Sequence, residues 1–238
     1  MRLAGHNNLG EVIRALPQNF SGGQNPGVTA GADGSGVANQ NITGSSSLNL
    51  RGLGADATLT LLNGTRIPFD GFSQATDVSA IPVAATERVE VLLDGASAIY
   101  GSDAVGGVAN VVLKRDYSGM ELAARYGVAT DGGYGQTQYT VVAGTTWSSG
   151  GILLTGDFSD QERVRSGQRD FLSHLIDPNV TIYPASRQKG VLANLHQRIG
   201  DVVELELMAF YTKRRMEELY DYSSMGFATS IRRDASIW

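Results

Sequence analysis

The sequence contains no cysteine among its 238 residues. This absence excludes a disulfide framework, a thiolate nucleophile and a zinc site built on cysteine, and it leaves the cellular compartment open. Histidine is scarce as well, since His6, His174 and His196 are the only three and lie far apart. Such spacing does not suit a shared metal site, so the sequence predicts neither a metal nor any other cofactor.

Long hydrophobic runs and blocks of basic residues are also missing. No stretch approaches the ~18 apolar residues of a transmembrane helix, and the first residues lack the apolar segment of a secretory signal. The 19 lysines and arginines are outnumbered by 24 aspartates and glutamates, which gives a net charge of −5. A chain without a basic surface is a poor ligand for phosphate backbones, so nucleic acid is not expected as a partner.

Glycine, in contrast, is abundant. The 30 glycines are nearly twice the average usage of about 7%. Among alternating β-branched and aromatic residues they indicate turns and close backbone approaches, which favours a β-rich architecture.

The first half of the chain predicts a compact α+β unit. Residues 8–16 place four apolar side chains on one helical face and Pro17 ends that helix, whereas 19–47 form a long irregular segment. Asp77 is expected to cap a helical turn, and 96–100 to form a short helix. Short strands are predicted at 47–51, 57–62 with a continuation at 65–68, 87–94 and 108–115.

After Tyr117 the sequence changes to stretches of alternating polar and apolar residues. In 202–211 the apolar residues lie on one face of a strand, and Glu204 and Glu206 lie on the other. A period of two predicts β-strands with one apolar face. Six are expected, at 119–129, 136–147, 151–159, 188–199, 202–211 and 226–233.

The connections between these strands alternate in length. Those at 130–135, 160–187 and 214–225 are longer than those at 148–150 and 200–201. Short turns on one side and long loops on the other are typical of an outer-membrane barrel. Aromatic residues near strand ends would form its interfacial girdle: Tyr126, Trp147 and Tyr211. A soluble β-sandwich remains the alternative, because it accommodates the same alternation.

The first half also contains four strings in series. They are LGEVIRALP (9–17), LNLRGLG (48–54), TLTLLNGTRIP (58–68) and DVSAIPVAATERVEVLLDGASAIYGSDAVGGVANVVLKR (77–115). In content, order and spacing they resemble the plug domain of TonB-dependent outer-membrane receptors. The resemblance implies an α+β plug domain with a small mixed sheet at 1–116, followed at 117–238 by antiparallel strands of an incomplete outer-membrane β-barrel.

The resemblance implies import rather than enzymatic chemistry. Members of this family take up scarce solutes such as siderophores, corrinoids and glycans, with the plug inside the lumen of a barrel in the bacterial outer membrane. The implied partners are a TonB-type energy-coupling protein, outer-membrane lipid and a small-molecule or oligosaccharide ligand. The peptide that contacts the coupling protein is not recognised in this chain.

The chain is expected to be a piece of a longer receptor. Barrels that hold a plug have 22 strands, and at about 20 residues a strand they need about 440 residues, or about 320 more than are here. Two alternatives stay open: an outer-membrane protein that binds or adheres without transporting, and the remnant of a decayed gene.

Ligand contacts in the resembled family come from plug loops that point outward. The corresponding segments here are 25–41, 54–57 and 67–74, and the candidate residues are Gln40, Asp56, Phe69, Asp70 and Phe72. Two phenylalanines around an aspartate supply both stacking and polar contacts to a ligand. Packing of this loop against the barrel wall is an equally open interpretation.

Three charged residues of the plug are candidates for contact with the barrel wall. In the resembled family an arginine at the position of Arg51 lies where plug and wall meet. Along 87–94 the alternation places Arg88 and Glu90 on one face, away from the apolar residues. Polar contacts suit a plug that has to move, and salt bridges within the plug explain the pattern equally well.

Two strings imitate enzyme motifs. Residues 52–57 fit G-x-G-x-x-A, but the following residues predict a strand, whereas a dinucleotide site requires a helix there. Gly95-Ala-Ser97 imitates a nucleophile elbow, but Ile99 occupies the position of the second glycine. No catalytic residue is therefore predicted, and the chain is not expected to be an enzyme.

Overall fold

The structure is a computed structural model that describes residues 8–19, 44–69, 75–94, 96–172, 178–222 and 227–237. It contains two main β-sheets that pack against each other. None of the helices in these ranges is long and apolar enough to cross a membrane.

The first sheet is small and mixed. Its strands are β1 (Thr58–Leu62), β2 (Thr65–Arg66), β3 (Thr86–Leu92) and β4 (Gly107–Leu113), in the spatial order β2-β1-β4-β3. β1 runs parallel to β4, while β2 and β3 pair antiparallel with their neighbours. The expected mixed sheet is confirmed.

The strand predicted at 47–51 is wrong. Leu50 forms a single bridge with Asn19, and the segment joins no sheet. The reason is that side chains bind its backbone: Leu50 N–H donates to Thr58 Oγ1 at 3.0 Å, and Asn49 N–H donates to Asn19 Oδ1 at 2.8 Å. Donors engaged in this way are not available to a neighbouring strand.

Side chains cap two of the helical elements, and the cap at Asp77 is the predicted one. Helix α1 (Leu9–Arg14) starts where Asn8 Oδ1 accepts the N–H of Glu11 at 2.9 Å. A 3₁₀ turn, Val78–Ala80, starts where Asp77 Oδ1 accepts the N–H of Ser79 at 3.0 Å. Helix α2 spans Ala96–Tyr100. We call the described residues up to 116 the plug.

The second sheet has six antiparallel strands and is not closed, which confirms the expected architecture. Its spatial order is β12-β11-β10-β7-β6-β5, and we call it the wall. A two-stranded hairpin, β8 (Val164–Arg165) with β9 (Thr181–Tyr183), lies in the longest connection. The wall strands are β5 (Gly119–Gly127), β6 (Gln136–Trp147), β7 (Gly150–Gln161), β10 (Ala185–Ile199), β11 (Val203–Tyr222) and β12 (Phe227–Ile237).

The loop predicted at 214–225 is wrong, because β11 continues to Tyr222. Three consecutive cations, Lys213, Arg214 and Arg215, interrupt the apolar alternation and imitate a loop. In the structure the alternation persists: Arg214 is buried towards the plug, and Arg215 is exposed on the opposite face. Tyr211 consequently lies in the middle of β11 and not at a strand end.

The two faces of the wall differ in what they contact. Leu153 and Leu192 are buried against the plug, and together with Val142 they belong to the same apolar cluster as the core of the plug. The opposite face exposes apolar side chains, among them Leu154, Val191, Val203, Leu205 and Leu207. An exposed apolar band is the surface that a barrel presents to lipid.

Candidate functional site

A buried ion pair joins plug and wall. Arg214 Nη1 lies 2.7 Å from Asp77 Oδ2, and the two side chains are only 6% and 9% exposed. Arg214 lies on β11, whereas Asp77 caps the turn at Val78–Ala80 in the plug. The pair therefore joins segments that are 137 residues apart in the chain.

All five N–H groups of the Arg214 guanidinium have acceptors. Besides Asp77, they donate to Gly44 O at 3.0 Å, to Ser79 Oγ at 2.5 Å, and twice to Gln188 Oε1 at 2.9 and 2.6 Å. A guanidinium has five donors in a rigid plane, so this one is fully satisfied without water. We call Asp77, Ser79, Gln188 and Arg214 the Arg214 latch.

Two further hydrogen bonds hold the same turn of the plug to the wall. Gln188 Nε2 donates to Ser79 O at 2.8 Å, and Thr212 Oγ1 donates to Ala80 O at 3.1 Å. Backbone carbonyls of the 3₁₀ turn thus face β10 and β11. Because a lone short turn has no sheet partner, these wall side chains satisfy its acceptors.

Asp77 organises this region with both of its oxygens. Oδ1 accepts from Ser46 N–H, Ser79 N–H and Ser79 Oγ, at 3.0, 3.0 and 2.6 Å. Oδ2 remains for Arg214. One carboxylate therefore links the segment at Ser46, the turn and the wall, and its loss would leave a buried guanidinium without its counter-charge.

A small polar cavity lies next to the Arg214 latch, between plug and wall. Its volume is about 60 Å³, enough for a few water molecules, since each needs roughly 10–15 Å³. Asp157 faces it and accepts from Gln138 Nε2 and Thr140 Oγ1, each at 3.1 Å. The other wall residues that line it include Gln136, Ser159, Gln161, Ser186 and Gln188.

Polar side chains also join plug and wall near the end of the plug. Arg115 forms ion pairs with Glu204 and with Glu206, the latter at 3.0 Å. His196 Nε2 lies 3.3 Å from Asp116 Oδ1. The Arg115 pairs are open to solvent on both sides, so they contribute less than the buried latch.

The predicted contact residues Arg51, Arg88 and Glu90 are exposed and bind within the plug. Arg51 pairs with Asp94, and Arg88 pairs with Glu87 and Glu90. Hydrogen bonds from Asn110 and then from Arg88 lower the pKa of Glu90 below its usual value. Across the described residues the ion pairs of these three stay within the plug, and their contact with a wall stays a prediction.

Two of the five predicted ligand residues share one cleft. Asp56 and Phe69 both line a cleft of about 360 Å³, and Phe69 is 59% exposed. Gln40, Asp70 and Phe72 lie outside the described residues. The other residues lining the cleft are Thr58, Leu59, Thr60, Arg66, Ile67, Pro68, Thr76 and Asp103.

An ion pair closes one side of this cleft. Arg66 binds the carboxylate of Asp103 and donates to Tyr100 O at 2.5 Å. The hydrogen bond from Arg66, followed by one from Ser102, holds the pKa of Asp103 below its usual value. The cleft thus presents an exposed aromatic ring, an exposed carboxylate at Asp56 and an arginine.

Sequence reasoning missed the residues of the Arg214 latch. Asp77 was identified only as a helix cap, and Arg214 was placed in a loop. The available signal was the period of two, which continues through the inward positions Thr212, Arg214 and Met216 of β11.

The comparisons with known proteins agree with this architecture. Residues 3–108 match the family described as TonB-dependent Receptor Plug Domain. Similar solved structures are a mutant of the ferric enterobactin receptor PfeA of Pseudomonas aeruginosa in complex with enterobactin (17% identity, TM-score 0.60, covering 88% of this chain and 31% of that one), the siderophore receptor PirA of Pseudomonas aeruginosa (19%, 0.51, 90% and 34%) and the ferric citrate transporter FecA in its unliganded form (15%, 0.51, 97% and 40%).

These structures share the fold of this chain over both plug and wall. The chain spans about a third of the length of the receptors that it matches, as the 31% for the ferric enterobactin receptor shows. The matched proteins are receptors and transporters, and at these identities the likeness concerns the fold alone.

Proposed function

We propose, on the premise that this chain carries a TonB-dependent receptor plug domain, that it is part of an outer-membrane receptor that binds a small solute and imports it with energy from a TonB-type protein. The plug is at 1–116 and the wall, the first part of the barrel, at 117–238. Import proceeds by binding and release, without covalent chemistry on the solute.

The Arg214 latch is the observation that carries this proposal. A domain that closes a pore needs a specific attachment to the wall that can be broken and remade. In the latch one guanidinium of the wall donates three hydrogen bonds to the plug, at Gly44, Asp77 and Ser79, and Gln188 of the wall accepts the other two. The small polar cavity beside the latch has room for water molecules that can hydrogen-bond to the latch side chains when plug and wall separate. This lowers the free-energy cost of the separation.

A ferric siderophore is the proposed class of solute. The names of the matched receptors refer to ferric enterobactin, siderophores and ferric citrate. The cleft at Asp56 and Phe69 offers this chain an exposed ring for stacking on the ligands of a chelate. Corrinoids and glycans are the competing classes.

Uptake into cells that carry the gene, compared with a deletion strain, tests the proposal. The probes are radiolabelled ferric enterobactin, ferric citrate, cyanocobalamin and maltohexaose, each with and without a protonophore. We expect one of the ferric chelates to accumulate only when the gene is present and the proton-motive force is intact. Binding to cells without accumulation would indicate a binding or adhesive protein, and no binding of any probe would contradict the receptor proposal.

Truncation of the exposed ring tests the proposed cleft. Phe69→Ala is expected to weaken binding of the accumulated chelate by up to about tenfold, because an aromatic contact contributes roughly 0.5–1.5 kcal/mol. Equilibrium binding to the purified full-length protein measures this effect.

Ile99→Ala is the matched control for this substitution. Ile99 is also an apolar plug residue, 77% exposed, but it lies on α2 and not in the cleft. Equal affinities of the Phe69→Ala and Ile99→Ala variants would show that the cleft does not bind the chelate.

A further inference from the structure

Two lysines face each other on the outer face of the wall. Lys189 on β10 lies directly opposite Lys213 on β11 in the strand register. Both share the face of Val191 and Leu207, which are 58% and 57% exposed, and so point away from the plug. Like charges directly opposite each other on neighbouring strands are destabilising unless an anion lies between them.

The protein itself does not supply this anion among the described residues. Among the residues whose side chains the structure describes, which exclude those of β12, neither lysine ammonium has an ion-pair partner. The next outward-facing pair in the register, Arg187 and Arg215, has an acidic partner within the protein. There Arg187 lies between Arg215 and Asp160, and it binds Asp160 at 2.8 and 2.5 Å.

Aromatic rings mark the depth of the lysine row. Lys189 lies opposite Phe158 on its other side, and Phe158 lies opposite Tyr139. The two rings stack, with 6.3 Å between centroids and 28° between planes, and Tyr139 is 53% exposed. Aromatic rings on the outer face of a barrel belong to the headgroup level of the membrane, so the lysines lie at that level too.

An apolar groove begins one row below the lysines. It has a volume of about 620 Å³ and crosses β6, β7, β10 and β11 on the outer face. Gly156 forms its floor between Val141 and Val191, its direct partners on both sides. Small residues deepen it at Ala143, Ala193 and Ala209.

We propose that this surface binds a membrane lipid with an anionic phosphate headgroup. The phosphate lies between Lys189 and Lys213, and an acyl chain lies in the groove over Gly156. This inference rests on the membrane placement in the proposed function. A soluble anion would explain the lysines but not the groove, and a lipid without net charge would explain the groove but not the lysines, whereas an anionic phospholipid matches both.

Native mass spectrometry of the purified full-length protein in detergent tests the headgroup. The probes are dimyristoyl phosphatidic acid and dimyristoyl phosphatidylcholine, which have the same chains. We expect the wild-type protein to retain phosphatidic acid at least tenfold better. Each lysine replaced by glutamine is expected to lower this preference about fivefold, since one cation near an anionic surface contributes ~1 kcal/mol.

Arg198→Gln is the matched control, because Arg198 is exposed on the same strand, β10, at its opposite end. Its preference is expected to equal that of the wild type. If the Lys189→Gln/Lys213→Gln variant keeps the wild-type preference, or if excess inorganic phosphate removes the bound lipid, the lysines are not a lipid headgroup site and the proposal is overturned.

Gly156→Leu tests the groove. A Cβ at Gly156 meets nothing within 4 Å, so the fold has space for a side chain there. A leucine at this position would fill the groove, because Gly156 forms its floor. Retention of phosphatidic acid is expected to fall severalfold. Ala124→Leu adds the same side chain to the outer face of β5, outside the groove, and is expected to change nothing. Equal retention by the two variants would overturn the proposed groove.

Membrane fractionation of the cells used in the uptake experiment distinguishes a failure of the lipid site from a failure of the proposed function. A wild-type protein that fractionates with the outer membrane but shows no preference between the lipids overturns only the lipid site. A wild-type protein that is absent from the membrane and retains neither lipid overturns both proposals.

Discussion

Asp77→Asn is expected to speed hydrogen exchange of the plug segment at 75–85 by about a hundredfold to a few thousandfold. Asparagine keeps an oxygen for the N–H groups of Ser46 and Ser79, but it replaces Oδ2 by a donor that faces the Arg214 guanidinium. Removing one partner of a buried ion pair costs about 3–5 kcal/mol. Exchange measured by mass spectrometry on the intact protein reports this as opening of the plug from the wall.

Asp160→Asn is the matched control in the same wall. Its partner Arg187 is 64% exposed, and exposed pairs contribute at most ~1 kcal/mol, so exchange should change by less than about fivefold. Adding Arg214→Met to Asp77→Asn is expected to restore much of the protection, because no charge is then left buried. If Asp77→Asn exchanges like Asp160→Asn, the latch does not hold the plug.

Gly44→Ala is expected to destabilise the docked plug by about 2–5 kcal/mol. A Cβ at this position would lie 1.5 Å from Met216 Sδ on β11, and Met216 is fully buried. Overpacking of this kind costs roughly 1–3 kcal/mol. Gly44 also has a φ of +66°, a left-handed conformation that costs an alanine about 1–2 kcal/mol. The exchange measurement on the segment at 75–85 again provides the free energy of opening.

Gly64→Ala separates the cost of overpacking from the cost of the left-handed backbone conformation. Gly64 has a φ of +77° in the turn between β1 and β2, but a Cβ there meets nothing within 4 Å, so only the backbone cost remains. In a Met216→Ala background the effect of Gly44→Ala should fall to that same backbone cost. Equal effects of Gly44→Ala and Gly64→Ala in the wild-type background would show that the close approach of Gly44 to Met216 is unimportant.

Local chemistry made several elements predictable. The apolar spacing at 8–16 and the stop at Pro17 predicted α1, and the structure ends the helix at Arg14 and shows its cap at Asn8. Strand β6 has its predicted bounds because alternation persists from Gln136 to Trp147. The errors at 47–51 and 214–225 arose where long-range partners replaced local ones. In the segment at 47–51, side chains of the plug accept the hydrogen bonds of the backbone N–H groups. In the segment at 214–225, the latch holds Arg214 in a buried position.

The candidate site was predictable only in part. The sequence indicated Asp56 and Phe69 as loop residues, and the structure brings them into one cleft. It identified Asp77 as a cap because that hydrogen bond spans two residues. It did not indicate the partner of Asp77, because Arg214 is 137 residues away and the contact depends on how the wall packs against the plug.

The sequence by itself determined the alternation of the wall strands, the cap at Asp77 and the order of the plug strings, because each is a local feature of the chain. Only the tertiary structure decided which side chains of the plug and the wall meet. The lysine row on the outer face arises from strand register, whereas the buried ion pair of the latch arises from packing of the 3₁₀ turn of the plug against β11, and both set residues far apart in the chain against one another.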